Sequence, residues 1–288
     1  MARRVKPLIM ALFLLVSHNC YSANIIFDLG NVLVGVNKTN TVKKIGIYSL
    51  LLYLLRFNNP FSLRTRLFSV LDSIPSMTQN IYGAADETGK LLPGLCCDWL
   101  TGKQTCKEIK NQIAAFIENN PQEFHNYAEK NTIQKITNSM FTPEALAKSI
   151  YLLKDRIAFV KECKKQGHNV YVLSNWDRES FPFLLEKFPE FFSLFDDIII
   201  SGEIGLIKPD PLIYEYIIIK NSLDRNHCIF FDDQEVNIDA AKNSSNIHGV
   251  IVHKKMRHKD MTQALNLFLE NTKQKESGEI SNAIIMAG

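Results

Sequence analysis

Three short apolar runs in this chain each end in side chains suited to nucleophilic, acid or metal chemistry. Ile25-Ile26-Phe27 leads into Asp28, "VYVL" into Ser174 and Asn175, and "CIFF" into Asp232 and Asp233. A carboxylate directly after a buried strand is costly unless something pairs with it. Asp28 has two readings. As a turn residue ahead of Gly30, it would bond nearby backbone amides. As a nucleophile or metal ligand, it would sit at the carboxyl end of a parallel strand, where open α/β sheets place their ligands. Only the second reading requires partners elsewhere, and Lys208, in "GEIGLIKPDP" after "DIIIS", offers one.

Each residue type has a use if the substrate is a phosphate ester. Asp28 can attack phosphorus to give an aspartyl-phosphate. The two anions repel at that step, so a hard cation such as Mg²⁺, held by Asp28, Asp233 and Asp232, would be needed to cancel the charge. Ser174 can donate to a phosphoryl oxygen, and Lys208 can offset charge on Asp28 and the transferring group. Ser174, Asn175 and Lys208 are the phosphate-binding candidates.

The elements that must position these groups follow from the pattern of the chain. From Thr142 onward, helix and strand alternate: a helix around Arg156 to Lys165 stopping at Gly167, then "NVYVLSN", a helix through "SFPFLLEKF", "DDIIIS", a helix from Asp210-Pro211 through Ile219, "CIFFDD" and "GVIVHK". Strands separated by helices predict a parallel sheet with right-handed crossovers. The ends of "IIF", "VYVL" and "CIFF" then share one edge, which makes a site. Between Asn37 and Ser149 the chain reads as helices and loops. "IGIYSLLLYLLRF" is an apolar helix, and "TCKEIKNQIAAFIENN" sets Cys106, Ile109, Ile113 and Phe116 at helical spacing.

Composition narrows the classes. The 288 residues are 46% hydrophobic, enough for a substantial core. The start has Arg3, Arg4 and Lys6, an apolar run from Pro7 to Val16, then small residues near Ser22 and Ala23, which is signal-peptide grammar. The run falls well short of the roughly 18 residues a spanning helix requires. Export with cleavage, and a secreted or periplasmic location without a membrane span, is the expectation. Removing residues 1–23 takes the formal charge from +3 to zero. A neutral chain lacks the basic footprint of a nucleic-acid binder, and "HKKMRHK" reads as a solvated segment. Cys96, Cys97, Cys106, Cys163 and Cys228 show no zinc-like spacing. In an oxidising compartment Cys106 can pair with Cys96 or Cys97, while Cys163 and Cys228 read as small buried apolar residues.

Taken together, "FDLGNVLV", "VLSN", the Lys of "GLIKPDP" and "FFDDQEVNIDAA" resemble, in order, the four motifs of the haloacid dehalogenase-like hydrolase superfamily. The resemblance implies a Rossmann-like α/β core over residues 24–36 and 150–270, with a helical cap inserted at 37–149; the polar "NTKQKESGEISNA" stretch itself reads as a mobile tail, 271–288. The resemblance also implies Asp233 as principal metal ligand with Asp232 assisting, Asn237 orienting these carboxylates, and the Gly30 carbonyl as a further ligand. Phosphatases of the family commonly carry a second aspartate, a general acid and base, where this chain has Gly30. Asp177 and Glu203, on loops at the same edge, are the candidates to replace it; Trp176 either meets the leaving group or packs.

The function so implied is a secreted Mg²⁺-dependent phosphatase of small phosphorylated metabolites. A 2-haloacid dehalogenase-like hydrolase is the alternative, with a catalytically weak binding protein on the same fold as a third reading. Paired Asp232 and Asp233 argue against the dehalogenase, which needs no metal.

Overall fold

The computed structural model describes residues 22–37, 60–86 and 88–287. The expected export segment up to residue 21 and the helix expected at "IGIYSLLLYLLRF" lie outside these. Seven strands are present among the described residues: β1 (Asn24–Phe27), β2 (Val34–Val36), β3 (Ile150–Leu152), β4 (Asn169–Ser174), β5 (Asp197–Ile200), β6 (Cys228–Asp232) and β7 (His248–Ile251). Five of them form one parallel sheet in the order β5-β4-β1-β6-β7.

Central strands of such a sheet are covered on both faces and so read as unbroken apolar runs. Alternate residues supply the two layers. Ile25, Phe27, Val172 and Phe231 pack with Phe159 and Val160 of the helix Lys154–Lys165 and with Met261 and Leu265 of the last helix. Ile26, Tyr171, Leu173 and Phe230 pack on the other face with Tyr214 and Ile217 of Pro211–Lys220 and with Ala241 of Glu235–Ser245. Phe27 stacks on Phe231 with ring centroids 5.4 Å apart, and Phe159 meets both rings edge-on. The helix ends follow sequence signals: Gly167 adopts φ 86° just beyond Lys165, and Asp210 caps the helix that Pro211 opens, accepting from Leu212 N at 2.9 Å.

The inserted segment forms helices Pro60–Asp72, Gly94–Leu100, Cys106–Asn119, Tyr127–Met140 and Pro143–Ser149. Leu71, Leu95, Trp99, Ile109, Ile113, Ile133 and Phe141 build a second core among them. All five described cysteines are buried and free, so no bridge joins Cys106 to Cys96 or Cys97. Burial pushes the Cys106 thiol up to about 12, and Glu179 beside it adds to the shift. These residues pack as small apolar groups.

Insert and sheet are joined by a neck that the sequence pattern does not announce. β2 pairs antiparallel with β3, Val34 opposite Leu152. Leu153 N then donates to Leu33 O at 2.9 Å. The insert also rests on the sheet edge: Ile207 packs with Ala84 and Cys97, and Ser201 Oγ donates to Leu100 O at 2.8 Å. At Gly102 (φ 69°) a side chain would lie 2.5 Å from Gly202 O, so the approach there requires glycine.

Two boundaries differ from the sequence reading. Exposed Ser22 donates its Oγ–H to Gly167 O at 3.0 Å, and buried Ala23 donates its N–H to His168 Nδ1 at 3.1 Å, so the packed core begins at Ala23. Residues 271–287, expected as a tail, continue the helix His258–Ala287.

Candidate active site

β1, β4 and β6 are neighbours in register, so their carboxyl ends deliver Asp28, Ser174 and Asp232 to one place. Asp28 N extends the ladder by bonding Phe231 O at 2.9 Å, and Val252 N closes the next step on Asp232 O at 2.8 Å. Lys208 arrives on the loop after the short helix Ser201–Ile204. Its Nζ lies 2.7 Å from Asp28 Oδ1 and 2.6 Å from Asp232 Oδ2, above the Phe230 ring. Ser174 Oγ donates to the same Asp28 Oδ1 at 2.9 Å. Asp28 Oδ2 accepts no hydrogen bond among the described residues.

The electrostatics follow from burial and from charge count. Burial raises Asp28 to about 7; Lys208 opposes this, and the charges of Asp232 and Asp233 add to it. Burial alone would lower Lys208, but Asp232 and Asp28 outweigh it and hold the ammonium above its ordinary range. Asp233 is also raised, by burial first and against its bond from Asn31. Three carboxylates against one ammonium leave a formal excess of two negative charges, which suits a divalent cation with oxygen ligands.

Several of the expected site residues are already bonded within the protein. Asn175, expected to bind phosphate, clamps the lysine loop: its Nδ2 donates to Lys208 O at 2.9 Å and its Oδ1 accepts from Lys208 N at 2.8 Å. Asp232, expected as an assisting metal ligand, has both oxygens committed to protein donors, namely Lys208, Asn237 Nδ2 at 3.0 and 3.1 Å, and Gln234 N at 2.8 Å. Asn237 does orient a carboxylate. Asp233 accepts from Asn31 Nδ2 at 2.9 Å. The Gly30 carbonyl accepts from Val32 N at 2.6 Å, which leaves it one lone pair.

Neither candidate for a replacement acid stands at Asp28. Asp177 is buried and locked by Ser180, whose hydroxyl and backbone N–H both donate to it, and by Glu179 N. Burial raises it, and those bonds oppose the shift. Glu203 is exposed. Trp176 packs: its indole donates to Ser180 Oγ at 2.9 Å and its ring joins the core.

Two participants were not singled out from the sequence. Asn31 stands inside the first quoted motif, three residues after Asp28, where an asparagine looks like an ordinary turn residue. Arg156 carries no local signal; it lies on the buried side of an amphipathic helix and reaches carbonyls far away in sequence. Burial pushes its guanidinium below the usual range, and the charge of Asp233 opposes this.

The haloacid dehalogenase-like hydrolase family matches residues 23–244. Among curated relatives, a drimenol cyclase, drtB, of Aspergillus calidoustus is 32% identical over 114 residues, covering 38% of this chain and 21% of the relative. A sesquiterpene phosphatase, astK, of Aspergillus oryzae is 34% identical over 85 residues, covering 30% of this chain and 43% of the relative. The chain thus spans less than half the length of either. Among solved structures, the enzyme bt-2542 of Bacteroides thetaiotaomicron superposes with a TM-score of 0.53 at 15% identity, covering 82% of this chain and 95% of that one. The family match over most of the chain, together with this sheet and its inserted helices, places the protein in the haloacid dehalogenase-like hydrolase family.

Proposed function

We propose that this protein is a Mg²⁺-dependent phosphatase of small phosphorylated metabolites that works through an aspartyl-phosphate on Asp28 and is exported. One observation carries the reading: Asp28 has one oxygen held by Ser174 and Lys208 while Oδ2 is left without a donor. That oxygen is the nucleophile. It forms a bond to phosphorus as the bond from phosphorus to the leaving oxygen breaks; water then attacks phosphorus, releasing phosphate and restoring the carboxylate.

Lys208 offsets charge on Asp28 and on the phosphoryl oxygens, and Ser174 reorients from Asp28 to donate to one of them. Asp232 and Asn175 keep Lys208 in place from its ammonium and its backbone. Asp28, Asp233 and the Gly30 carbonyl would hold Mg²⁺, which when bound supplies the positive charge that lets an anion approach an anion. The Bacteroides enzyme has been seen with magnesium and inorganic phosphate, and the astK relative is a phosphatase; both support phosphate over halide chemistry. Asp233, surplus to an attack on carbon, points the same way.

The test is hydrolysis of an aryl phosphate by the purified protein. Turnover should require Mg²⁺, disappear with a chelator and be absent in Asp28→Asn. Chloride release from a 2-chloroalkanoate without phosphate release would replace this reading with the dehalogenase one, and neither activity would leave a binding protein.

A further inference from the structure

Arg156 is 5% exposed and forms no ion pair among the described residues. Buried guanidinium groups normally face a carboxylate. This one is committed to backbone carbonyls on two loops. Nη1 donates to Asn31 O and, at 3.0 Å, to Val32 O; Nη2 donates to His253 O at 3.0 Å and Lys254 O at 3.4 Å. The first loop follows Asp28 and the second follows β7, so the fork ties together two stretches at the carboxyl edge of the sheet.

Asn31 is held from both ends. Its carbonyl accepts from Arg156, its side chain donates to Asp233 Oδ2 at 2.9 Å, and its own N–H bonds Val34 O at 2.8 Å. Its φ of 54° is left-handed, a conformation asparagine tolerates better than most residues. The chain of contact runs Arg156 to Asn31 to Asp233. No donor of Arg156 reaches Asp28, Ser174 or Lys208.

We propose that Arg156 is a positioning residue for the cation site: by fixing Asn31 it sets the Asp233 carboxylate and the Gly30 turn, and so governs Mg²⁺ affinity rather than contact with the phosphate. This rests on the reading that Asp28, Asp233 and the Gly30 carbonyl hold the cation. Groups that orient metal ligands typically change affinity or activity about 10- to 100-fold when removed. Lysine is no substitute, since one ammonium cannot span two loops as a planar fork does.

The experiment is calorimetric titration of Mg²⁺ into the wild-type chain, Arg156→Lys, Asn31→Gly and the double variant. Asn31→Gly keeps the left-handed backbone and removes only the side chain. Each single variant should raise the Mg²⁺ Kd about tenfold or more, and the double should be little worse than the weaker single, because both act along one path. The Mg²⁺ concentration for half-maximal aryl phosphate hydrolysis should rise in parallel, with KM for the ester at saturating Mg²⁺ changed by less than about twofold. Wild-type affinity in both single variants overturns the proposal and leaves Arg156 a brace of the fold, seen only in Tm. Fully additive losses overturn the path through Asn31. If Arg156→Lys does not fold, Asn31→Gly decides: an unchanged Kd overturns the proposal. Absence of Mg²⁺ binding in the wild-type chain overturns the cation site itself, and this inference with it.

Discussion

Lys208 Nζ bonds Asp28 Oδ1 at 2.7 Å in a setting where the lysine is 1% exposed. Asp232 completes the contact from the other side at 2.6 Å. Breaking a buried ion pair by removing one partner typically costs about 3–5 kcal/mol, because the remaining charge is stranded. Lys208→Met strands two carboxylates. Asp28, already raised to about 7 by burial against the pull of Lys208, would rise further above its unfolded value, so the deficit should shrink as pH falls. Denaturant unfolding in chelator at pH 5 and pH 8 checks this; a deficit equal at both would contradict the assignment of Lys208 as their counter-charge.

Mg²⁺ affinity should depend on pH through Asp28. Without a cation this carboxyl sits near 7, raised by burial against the pull of Lys208, and a metal ligand must be deprotonated. Affinity should therefore rise about tenfold per pH unit below pH 7 and level off above it. The same shift means that the metal-free protein gains stability from Asp28 as pH falls from about 7 toward the unfolded value. Calorimetry in buffers of different ionisation enthalpy would show close to one proton released per ion near pH 6; no release would separate Asp28 from the cation.

His168 provides an acid limit on the fold itself. It is buried, its Nδ1 accepts the Ala23 N–H, and burial lowers its pKa below 6.5. A depressed histidine contributes its full stability above the unfolded value and loses it as pH drops through the folded one. His168→Gln, which cannot titrate, should flatten part of the loss of stability below pH 6.5. An unchanged acid profile would show that this ring does not titrate with unfolding.

How much of this was legible in sequence divides along local and non-local lines. The parallel strands showed because they are buried on both faces and therefore apolar throughout, and a carboxylate after such a run stands out. Asp28, Ser174, Lys208 and Asp233 converge as expected for that reason. The β2–β3 neck was not visible, since its strands are three residues long and each owes its existence to a partner beyond the whole insert. Asn175 and Asp232 were assigned by residue type, but which ligand an amide or carboxylate serves depends on what stands opposite it. Here that is Lys208. Arg156 was hidden for the same reason: its partners are backbone carbonyls, which carry no sequence identity.

Gly30 should make the leaving group decisive. No carboxyl stands at that position, and Asp177 and Glu203 are respectively locked and exposed. General acid help is typically worth ~10²–10⁴ in rate, so aryl phosphates should outpace alkyl phosphates by a comparable factor. A Cβ at Gly30 would lie 3.6 Å from Asp28 Oδ2, ordinary contact, so Gly30→Asp is sterically admissible. The dependence of the phosphoryl-transfer step on leaving-group pKa should be steep in the natural chain and shallower in Gly30→Asp. A flat dependence in the natural chain would reveal another proton donor.

The central claim is a covalent bond between Asp28 and phosphorus, and single-turnover hydrolysis in ¹⁸O-labelled water tests it most directly. If the intermediate is an aspartyl-phosphate, water attacks phosphorus; the label should appear in the released phosphate within that single turnover, and the peptide bearing Asp28 should stay unlabelled. Borohydride added during turnover should convert Asp28 to homoserine in the same peptide. Label incorporated into the Asp28 carboxylate would mean attack at its carbonyl carbon and an ester intermediate. No homoserine at Asp28, with phosphate still released, would contradict the account.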